Sequence, residues 1–219
     1  NLYLVRWTFV GRMNVYNDNK ILFVLPSSSR HTIGEPFYTI LLDPYQNLWL
    51  GSKALPLYSF PTQAIVEPKK DPLALIPVER ITAHDIRGGQ PRMVDSQGNL
   101  WVSSWGSGIA KIDLQTHELT HYTAQDGLAH NKTFGIIEDQ KGQIWIGTYQ
   151  GISCLDPQTG AFKNYKVKQG LPFNIVDGPQ PAMNTKGELF FSSSTKGIIR
   201  FHPDSILKSE ILPEIVFTG

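Results

Sequence analysis

The chain repeats one short pattern, in which an aromatic residue stands at the centre of an alternating apolar and polar strand and a Gly-containing turn follows. The clearest copy is GQIWIGTYQGISCLDPQTGAFKNY, residues 142–165. Alignment of the other copies gives five equivalent aromatic residues, here called the anchors: Tyr3, Trp49, Trp101, Trp145 and Phe190. A repeat of about 45 residues indicates stacked supersecondary units.

Each unit reads as four short strands. Residues 131–166 contain KTFGIIEDQ, QIWIGTY, GISCLD and AFKNYKV, separated by Gly, Asp, Asn and Pro clusters. Asp139 and Gly142 suit the tight turn between the first two strands, since Asp hydrogen-bonds the backbone of its own turn and Gly tolerates positive φ. The predicted fold class is all-β, a β-propeller built from four-stranded antiparallel blades of about 45 residues. The tryptophan anchors are expected to fill the wedge between neighbouring blades.

Five blade repeats are visible, and residues 1–207 are assigned to the propeller segment. Residues 208–219 are expected to form an exit strand or linker toward a following β-sandwich domain. Because Asn1 begins in the middle of a blade and open sheet edges need closure or protection, an arc of a larger ring is favoured over a closed five-bladed ring. Residues 53–80 carry five prolines where a third strand is expected. That stretch is interpreted as a surface excursion, a functional loop or a distorted blade, in that order.

Composition excludes several classes of protein. The 20 basic residues nearly balance the 19 acidic ones, so no strong field favours nucleic acid as a partner. Cys154 is the only cysteine, which excludes an internal disulfide, and it is expected to be a small core residue. The histidines lack the spacing of a zinc site, and no dinucleotide fingerprint is present, so no metal and no cofactor are predicted.

Residues 126–156, DGLAHNKTFGIIEDQKGQIWIGTYQGISCLD, resemble the two-component regulator propeller repeat. The matching positions are Asp126, Gly127, Leu128, Asn131, Ile137, Glu138, Asp139, Gly142, Trp145, Ile146, Gly147, Thr148 and Gly151. The resemblance is strong over residues 90–205, moderate over 1–52 and poor over 53–90. It implies the extracytoplasmic, periplasmic sensor region of a bacterial hybrid two-component regulator, whose partners include the C-terminal signalling domains of the same receptor. Residues 201–219 are similar to the exit of such a region.

A ligand site is expected on one face of the blades, where the turns between second and third strands and the loops between blades emerge together. The candidate ligand-binding residues are Trp7, Trp105, Tyr149, His84, Arg87, His130, Asn131, Phe173 and Asn174. Aromatic platforms with a few polar groups suit a sugar or a similar polar molecule. The structural alternative is that these are ordinary hairpin and loop residues, with Asn131 and Asn174 capping their own backbones.

Three functional classes stay open. The leading interpretation is a non-catalytic sensor module that binds a small polar ligand such as an oligosaccharide and signals through its C-terminal strand, with a homodimer as a further option. The second is a protein-interaction propeller. The third is a propeller lyase that uses a histidine and an acid near the axis, although no catalytic residue is assigned.

Overall fold

The computed structural model describes residues 4–7, 13–17, 20–25, 37–52, 57–61, 79–81 and 88–208. These residues form eighteen strands in five antiparallel sheets, and each sheet follows chain order, so every strand pairs with its neighbour in sequence. The five sheets are called blades 1 to 5. Alternation of apolar and polar residues, bounded by turn residues, produces such hairpin-connected strands.

Two blades lie in the unit Asn1–Pro91. Blade 1 contains β1 (Leu4–Trp7), β2 (Met13–Asn17) and β3 (Lys20–Leu25). Blade 2 contains β4 (Phe37–Leu42), β5 (Asn47–Ser52), β6 (Leu57–Pro61) and β7 (Glu79–Ile81). The anchor Tyr3 lies outside the described residues.

Blade 2 changes the interpretation of the proline-rich stretch. The third strand that the prolines were expected to replace is present as β6, which pairs with β5 from Leu50–Tyr58 to Asn47–Pro61. Leu57, Tyr58 and Ser59 then pair with β7. Pro61 is tolerated because it occupies the last position of its strand. Residues 62–78 therefore connect the third strand of the blade to the fourth, and they lie outside the described residues.

The unit Arg92–Gly219 holds the remaining three blades, and its boundary falls inside the first of their strands. Blade 3 contains β8 (Gln90–Val94), β9 (Asn99–Ser103), β10 (Ile109–Asp113) and β11 (Leu119–Tyr122). Blade 4 contains β12 (Thr133–Glu138), β13 (Ile144–Thr148), β14 (Gly151–Leu155) and β15 (Phe162–Tyr165). Blade 5 contains β16 (Ala182–Met183), β17 (Leu189–Ser193) and β18 (Gly197–Phe201).

Short helical turns connect or follow these blades. Two 3₁₀-helices, Ala124–Asp126 and Val167–Gln169, precede blades 4 and 5, and helix α1 spans Pro203–Lys208. Ile206 of α1 packs against buried apolar side chains of blade 5. No helix among the described residues is long and apolar enough to cross a membrane. Residues 209–219 lie outside the described range, so the exit strand stays a prediction.

The tryptophan anchors of blades 3 and 4 are buried between consecutive blades. Trp101 has no exposed surface, and it packs in one cluster with Ile136, Ile144 and Ile146 of blade 4. Trp145, also fully buried, packs in a second cluster with blade 5 and lies 5.0 Å from the ring of Phe201. Stacked meander sheets joined by wedge-filling tryptophans are the blades of a β-propeller, as predicted.

The last anchor departs from this pattern. Phe190 is only partly buried, whereas its neighbours Leu189 and Phe191 are buried in the cluster shared with Trp145. The physical reason is alternation along β17, since Leu189 and Phe191 face blade 4 and Phe190 faces the opposite side of the sheet. Among the described residues of the Arg92–Gly219 unit, blade 5 is the last sheet.

Candidate ligand-binding face

The loops that enter blades 4 and 5 are hydrogen-bonded to the hairpin tips of the preceding blades. Gly108, after the tip of blade 3, donates its N–H to the carbonyl of Asn131 at 2.8 Å. Gly151, in the equivalent place in blade 4, donates to the carbonyl of Asn174 at 2.6 Å. These bonds bring the tips and the entering loops together on one side of the sheets, here called the loop face: residues 104–108, 123–132, 149–150, 166–178 and 194–196.

Glycine is required at both tips. Gly108 and Gly151 have φ of 82° and 104°, a region that other residues rarely adopt. A Cβ atom at Gly108 would also lie 2.1 Å from the carbonyl oxygen of Tyr122, and one at Gly151 would lie 2.0 Å from that of Tyr165. The outer strand of each blade therefore ends directly against the tip of its own inner hairpin.

A shared motif shapes the two entering loops. In the first, Thr123 caps the 3₁₀-helix Ala124–Asp126, and Gly127 ends it with φ 106°. Hydrogen bonds from the backbone N–H and hydroxyl of Thr123 hold the pKa of Asp126 below its usual value. Leu128 then turns inward and is buried. The second loop has the same backbone turn around Val167–Gln169, with Gly170 and buried Leu171, but Lys166 provides no side-chain cap.

Asn131 and Asn174 close these loops through their side chains. Asn131 Oδ1 accepts the backbone N–H of Ala124 at 2.6 Å, and Asn174 Oδ1 accepts that of Val167 at 2.9 Å. Each bond satisfies a donor in the first turn of a helix, where no intrahelical acceptor exists. The two side-chain oxygens thus hold the loops in shape. This agrees with the alternative that Asn131 and Asn174 are capping residues, except that each one caps a backbone N–H seven positions earlier in the chain.

Two exposed aromatic rings flank a lysine at the centre of the loop face. Trp105 is 39% exposed and Tyr149 is 40% exposed. The ammonium nitrogen of Lys132 lies 4.9 Å from the ring centre of Trp105 and 4.5 Å from that of Tyr149. Phe134 supports the arrangement from below, with its ring edge-to-face to Trp105 at 5.9 Å. Together with His130, these residues are called the aromatic–lysine cluster.

His130 has a defined orientation in this cluster. Its Nδ1 lies 2.9 Å from the backbone nitrogen of Lys132 and accepts that N–H. The uncharged ring therefore carries its hydrogen on Nε2, which is a donor. The ring centre lies 5.8 Å from that of Tyr149. The cluster consequently combines two flat apolar faces, one cation and one oriented hydrogen-bond donor.

The structure brings only part of the predicted set together. Trp105, His130 and Tyr149 lie in the cluster, whereas Phe173, in the next loop, packs partly against the core shared by blades 4 and 5. The side chain of Trp7 lies outside the described residues, as do His84 and Arg87. Sequence reasoning missed Lys132 and Phe134. Lys132 and Phe134 are two residues apart at the entry to β12, so the sequence indicates that their side chains lie on the same side of the strand. Only the backbone pairing of Lys132 with Trp105 shows that this side faces the tip of blade 3.

Blade 5 presents a polar tip to the same face. Ser194 donates both its backbone N–H, at 2.7 Å, and its hydroxyl, at 2.6 Å, to the carboxylate of Asp177. Partial burial raises the pKa of Asp177, but these hydrogen bonds outweigh it and hold the pKa below its usual value. The carboxylate is thus already satisfied within the protein.

Other reactive groups are buried or scattered. Burial raises the pKa of the Cys154 thiol to about 12, so the thiol stays protonated at neutral pH. Burial lowers the pKa of Arg92 to about 10, while Nε donates to Ser103 Oγ at 2.7 Å and Nη1 to the carbonyl of Pro179 at 3.0 Å. In the described part of the chain, no three His, Cys, Asp or Glu side chains converge as a metal site would require.

A family model for the two component regulator propeller matches residues 127–150. These residues are similar to one repeat of that family. The matched stretch includes Gly127, which ends the 3₁₀-helix, Asn131, which caps it, and Trp145, which fills the wedge between blades. The resemblance seen in the sequence is confirmed over this repeat, and each of these three residues has a structural role in the loop face or the core.

Comparisons over longer stretches agree with the fold. Histidine kinase P4 of Formosa agariphila is 24% identical over 188 residues, which cover 82% of this chain and 13% of that protein. The extracellular domain of BT3049 from B. thetaiotaomicron, named as a hybrid two-component system, superposes with a TM-score of 0.60 at 17% identity. That match covers 99% of this chain and 34% of the other.

An enzyme has a similar fold as well. Virginiamycin B lyase from Staphylococcus aureus matches with a TM-score of 0.58 at 17% identity, over 77% of this chain and 53% of the lyase. This chain therefore spans well under two thirds of each of these proteins. At 17% identity, the superpositions on the two solved structures show a shared propeller fold.

Proposed function

We propose that this chain is a ligand-sensing propeller module from the extracytoplasmic, periplasmic part of a two-component receptor. Its proposed ligand is a small polar molecule such as an oligosaccharide, bound on the loop face. The observation that carries the proposal is the aromatic–lysine cluster, in which Trp105 and Tyr149 stay exposed although both are large aromatic residues. Exposed aromatic groups of this kind commonly mark a contact surface.

The chemistry of the cluster supports a sugar. The apolar C–H face of a pyranose ring can lie flat on an aromatic ring, and its hydroxyl groups then need oriented hydrogen-bond partners at the edge. Trp105 and Tyr149 supply the flat faces, while Nε2 of His130 supplies a donor beside Tyr149. Because the backbone of the cluster is held by hydrogen bonds to neighbouring strands, little ordering is needed on binding.

The receptor context supports signalling as the purpose of binding. The two-component regulator propeller repeat and the likeness in fold to an extracellular two-component domain favour a module whose partners are the signalling domains of the same receptor. A propeller lyase is the second candidate, favoured by the likeness to virginiamycin B lyase. The two candidates differ in one outcome, since a lyase converts its ligand and a sensor releases it unchanged.

Isothermal titration of the purified chain with a library of defined oligosaccharides tests the proposal, with each ligand analysed by mass spectrometry afterwards. We expect binding without conversion, and we expect Trp105→Ala to weaken it by about tenfold or more, as loss of a central aromatic contact does. Leu119→Ala is the matched control, because Leu119 is 43% exposed on the outer strand β11. Conversion of a ligand would favour the lyase, and equal binding by the Trp105 and Leu119 variants would exclude the loop face.

A further inference from the structure

Resting on the proposed function, we infer that the aromatic–lysine cluster selects an oligosaccharide that carries an acidic group, a carboxylate or a sulfate. Lys132 pairs with the negative charge while Trp105 and Tyr149 contact the sugar rings. The class of ligand is therefore an acidic glycan, and a neutral glycan of the same shape binds less tightly.

The backbone of Lys132 is fixed on both sides. Its N–H donates to His130 Nδ1 at 2.9 Å, and its carbonyl accepts the N–H of Tyr149 at 3.1 Å. The next residue, Thr133, donates its N–H to the carbonyl of Ser104 at 2.9 Å. A lysine at this point has its charged end held in place by two rings, so less side-chain freedom is lost when it binds a ligand.

The charge of Lys132 has no carboxylate partner among the residues that the structure describes, where the ion pairs are Lys141 with Asp204 and Arg200 with Glu188. The aromatic faces attract the ammonium group but leave its N–H groups available to donate hydrogen bonds to the oxygen atoms of a ligand. The nearest loop of blade 5 contributes Asp177, whose two oxygens already accept hydrogen bonds from Ser194. Asp126, also on the loop face, accepts hydrogen bonds from Thr123 in the same way. Lys132 is therefore a cation with no ion-pair partner among the described residues.

Selectivity follows from desolvation. A sugar that covers both Trp105 and Tyr149 also covers the ammonium group between them, because that group lies within 5 Å of each ring centre. Removing a charge from water is costly unless a charged or strongly polar partner replaces the water. The hydroxyl groups of a neutral sugar offset only part of that cost, whereas an acidic group on the sugar forms a charge-assisted hydrogen bond with Lys132.

Four probes of equal length test this inference by isothermal titration: an oligogalacturonate, its methyl ester, a sulfated oligogalactan and the unsulfated oligogalactan. We expect the better acidic probe to bind about tenfold or more tightly than its neutral counterpart, because a hydrogen bond between two charged groups is stronger than one to a neutral hydroxyl. The preference should shrink as salt is added. The two pairs also distinguish a carboxylate ligand from a sulfate ligand.

Two lysine variants test whether Lys132 is the group that selects the acidic ligand. Lys132→Met keeps the apolar part of the side chain without the charge and should reduce the preference to within about twofold while neutral binding persists. Lys163→Met is the matched control, since Lys163 also lies over an aromatic ring, 5.6 Å from the centre of Tyr165 on the outer strand β15. Circular dichroism melting curves confirm that both variants fold.

The outcomes separate this inference from the function on which it rests. If neutral and acidic probes bind equally, the acidic class is wrong. If Lys132→Met keeps the preference, Lys132 is not the group that selects the acid. Either result overturns the inference while the sugar site stands. If none of the four probes binds and the wider library also fails, the proposed function is wrong and the inference falls with it.

Discussion

The indole N–H of Trp145 donates a 2.8 Å hydrogen bond to Oδ2 of Asp139, which lies six residues earlier in the chain. The other carboxylate oxygen, Oδ1, accepts the backbone N–H groups of Lys141 and Gln143 at 2.8 Å and 3.0 Å. One aspartate thus closes the hairpin turn and orients the wedge-filling tryptophan. The same bond recurs between Asp43 and Trp49 at 2.9 Å and between Asp95 and Trp101 at 2.7 Å.

Blade 5 shows what happens when the donor is missing. The side chain of its anchor, Phe190, has no N–H group, and Asn184 stands where blades 2 to 4 have aspartate. Asn184 Oδ1 still accepts the backbone N–H groups of Lys186 and Glu188, both at 3.0 Å. In these blades aspartate thus accompanies tryptophan and asparagine accompanies phenylalanine, and the Asn184 amide donates instead to Glu188 Oε2 at 2.7 Å.

A double-mutant cycle at Asp139 and Trp145 should show strong coupling. Asp139→Asn alone turns an amide donor toward the indole donor, and Trp145→Phe alone leaves a buried carboxylate oxygen without its partner, so each should destabilise the fold by about 1–3 kcal/mol. The double variant reproduces the pair found in blade 5 and should cost at least about 1 kcal/mol less than the sum. Guanidinium denaturation measures all four proteins. Additive effects would mean that the hydrogen bond contributes little.

Truncation of a wedge tryptophan should be far more costly than truncation of a loop-face ring. Trp145→Ala removes a fully buried side chain and should lower the free energy of unfolding by about 3–5 kcal/mol. Tyr149→Ala, four residues later and 40% exposed, should lower it by less than about 1 kcal/mol. Thermal and chemical denaturation compare the two. A well-folded Trp145→Ala variant of near wild-type stability would refute the wedge model.

Two glycines of blade 4 should respond differently to alanine. Both Gly151 and Gly160 have positive φ, so each alanine variant carries backbone strain of about 1–2 kcal/mol. At Gly160 an added Cβ has open space around it, whereas at Gly151 it meets the carbonyl oxygen of Tyr165. We expect Gly151→Ala to be the more destabilising by about 2 kcal/mol or more, measured by urea denaturation. Equal losses would show that the end of β15 moves aside easily.

His117 should be a site where glycine stabilises the protein. It has φ of 62° in the turn after β10, and Gly160 has φ of 73° in the equivalent turn of blade 4. His117→Gly relieves left-handed strain but makes the unfolded chain more flexible, and we expect a net gain of about 0.5–1 kcal/mol. His117→Ala keeps the strain and serves as the control, without a gain. A rise in melting temperature for alanine as large as that for glycine would point to some other effect of histidine.

Stability should fall in alkaline solution through Cys154. Burial first, and the nearby Asp139 and Asp156 second, raise its pKa to about 12 in the folded protein, while an unfolded cysteine has a pKa of about 8.5. Above pH 8.5 the unfolded state loses a proton that the folded thiol keeps, so the free energy of unfolding should fall by up to about 1.4 kcal/mol per pH unit from this group. Denaturation between pH 7 and 9.5 tests this against Cys154→Ala, which should lack that slope. Parallel curves for the two proteins would contradict it.

Much of the fold was determined by the sequence alone. Strand alternation and turn chemistry act over a few residues, so the repeat around Trp145 predicted the four strands of blade 4 and the hairpin closed by Asp139 and Gly142. The period of the anchors likewise predicted that tryptophan would separate consecutive blades. In residues 53–80 the prolines misled this reasoning, because Pro61 at the end of a strand is compatible with pairing and the sequence does not mark where β6 stops.

The candidate site depended on contacts that only the tertiary structure decides. Sequence periodicity placed Trp105, His130 and Tyr149 on a common face, but it could not indicate that Lys132 would lie between two of those rings. That arrangement requires the loop entering blade 4 to hydrogen-bond to the hairpin tip of blade 3. The same long-range pairing determines which backbone N–H Asn131 caps. Local propensity sets the strands and turns, whereas the position of a side chain between two strands depends on how distant segments pack, since packing satisfies buried polar groups and excludes water across the whole blade pair.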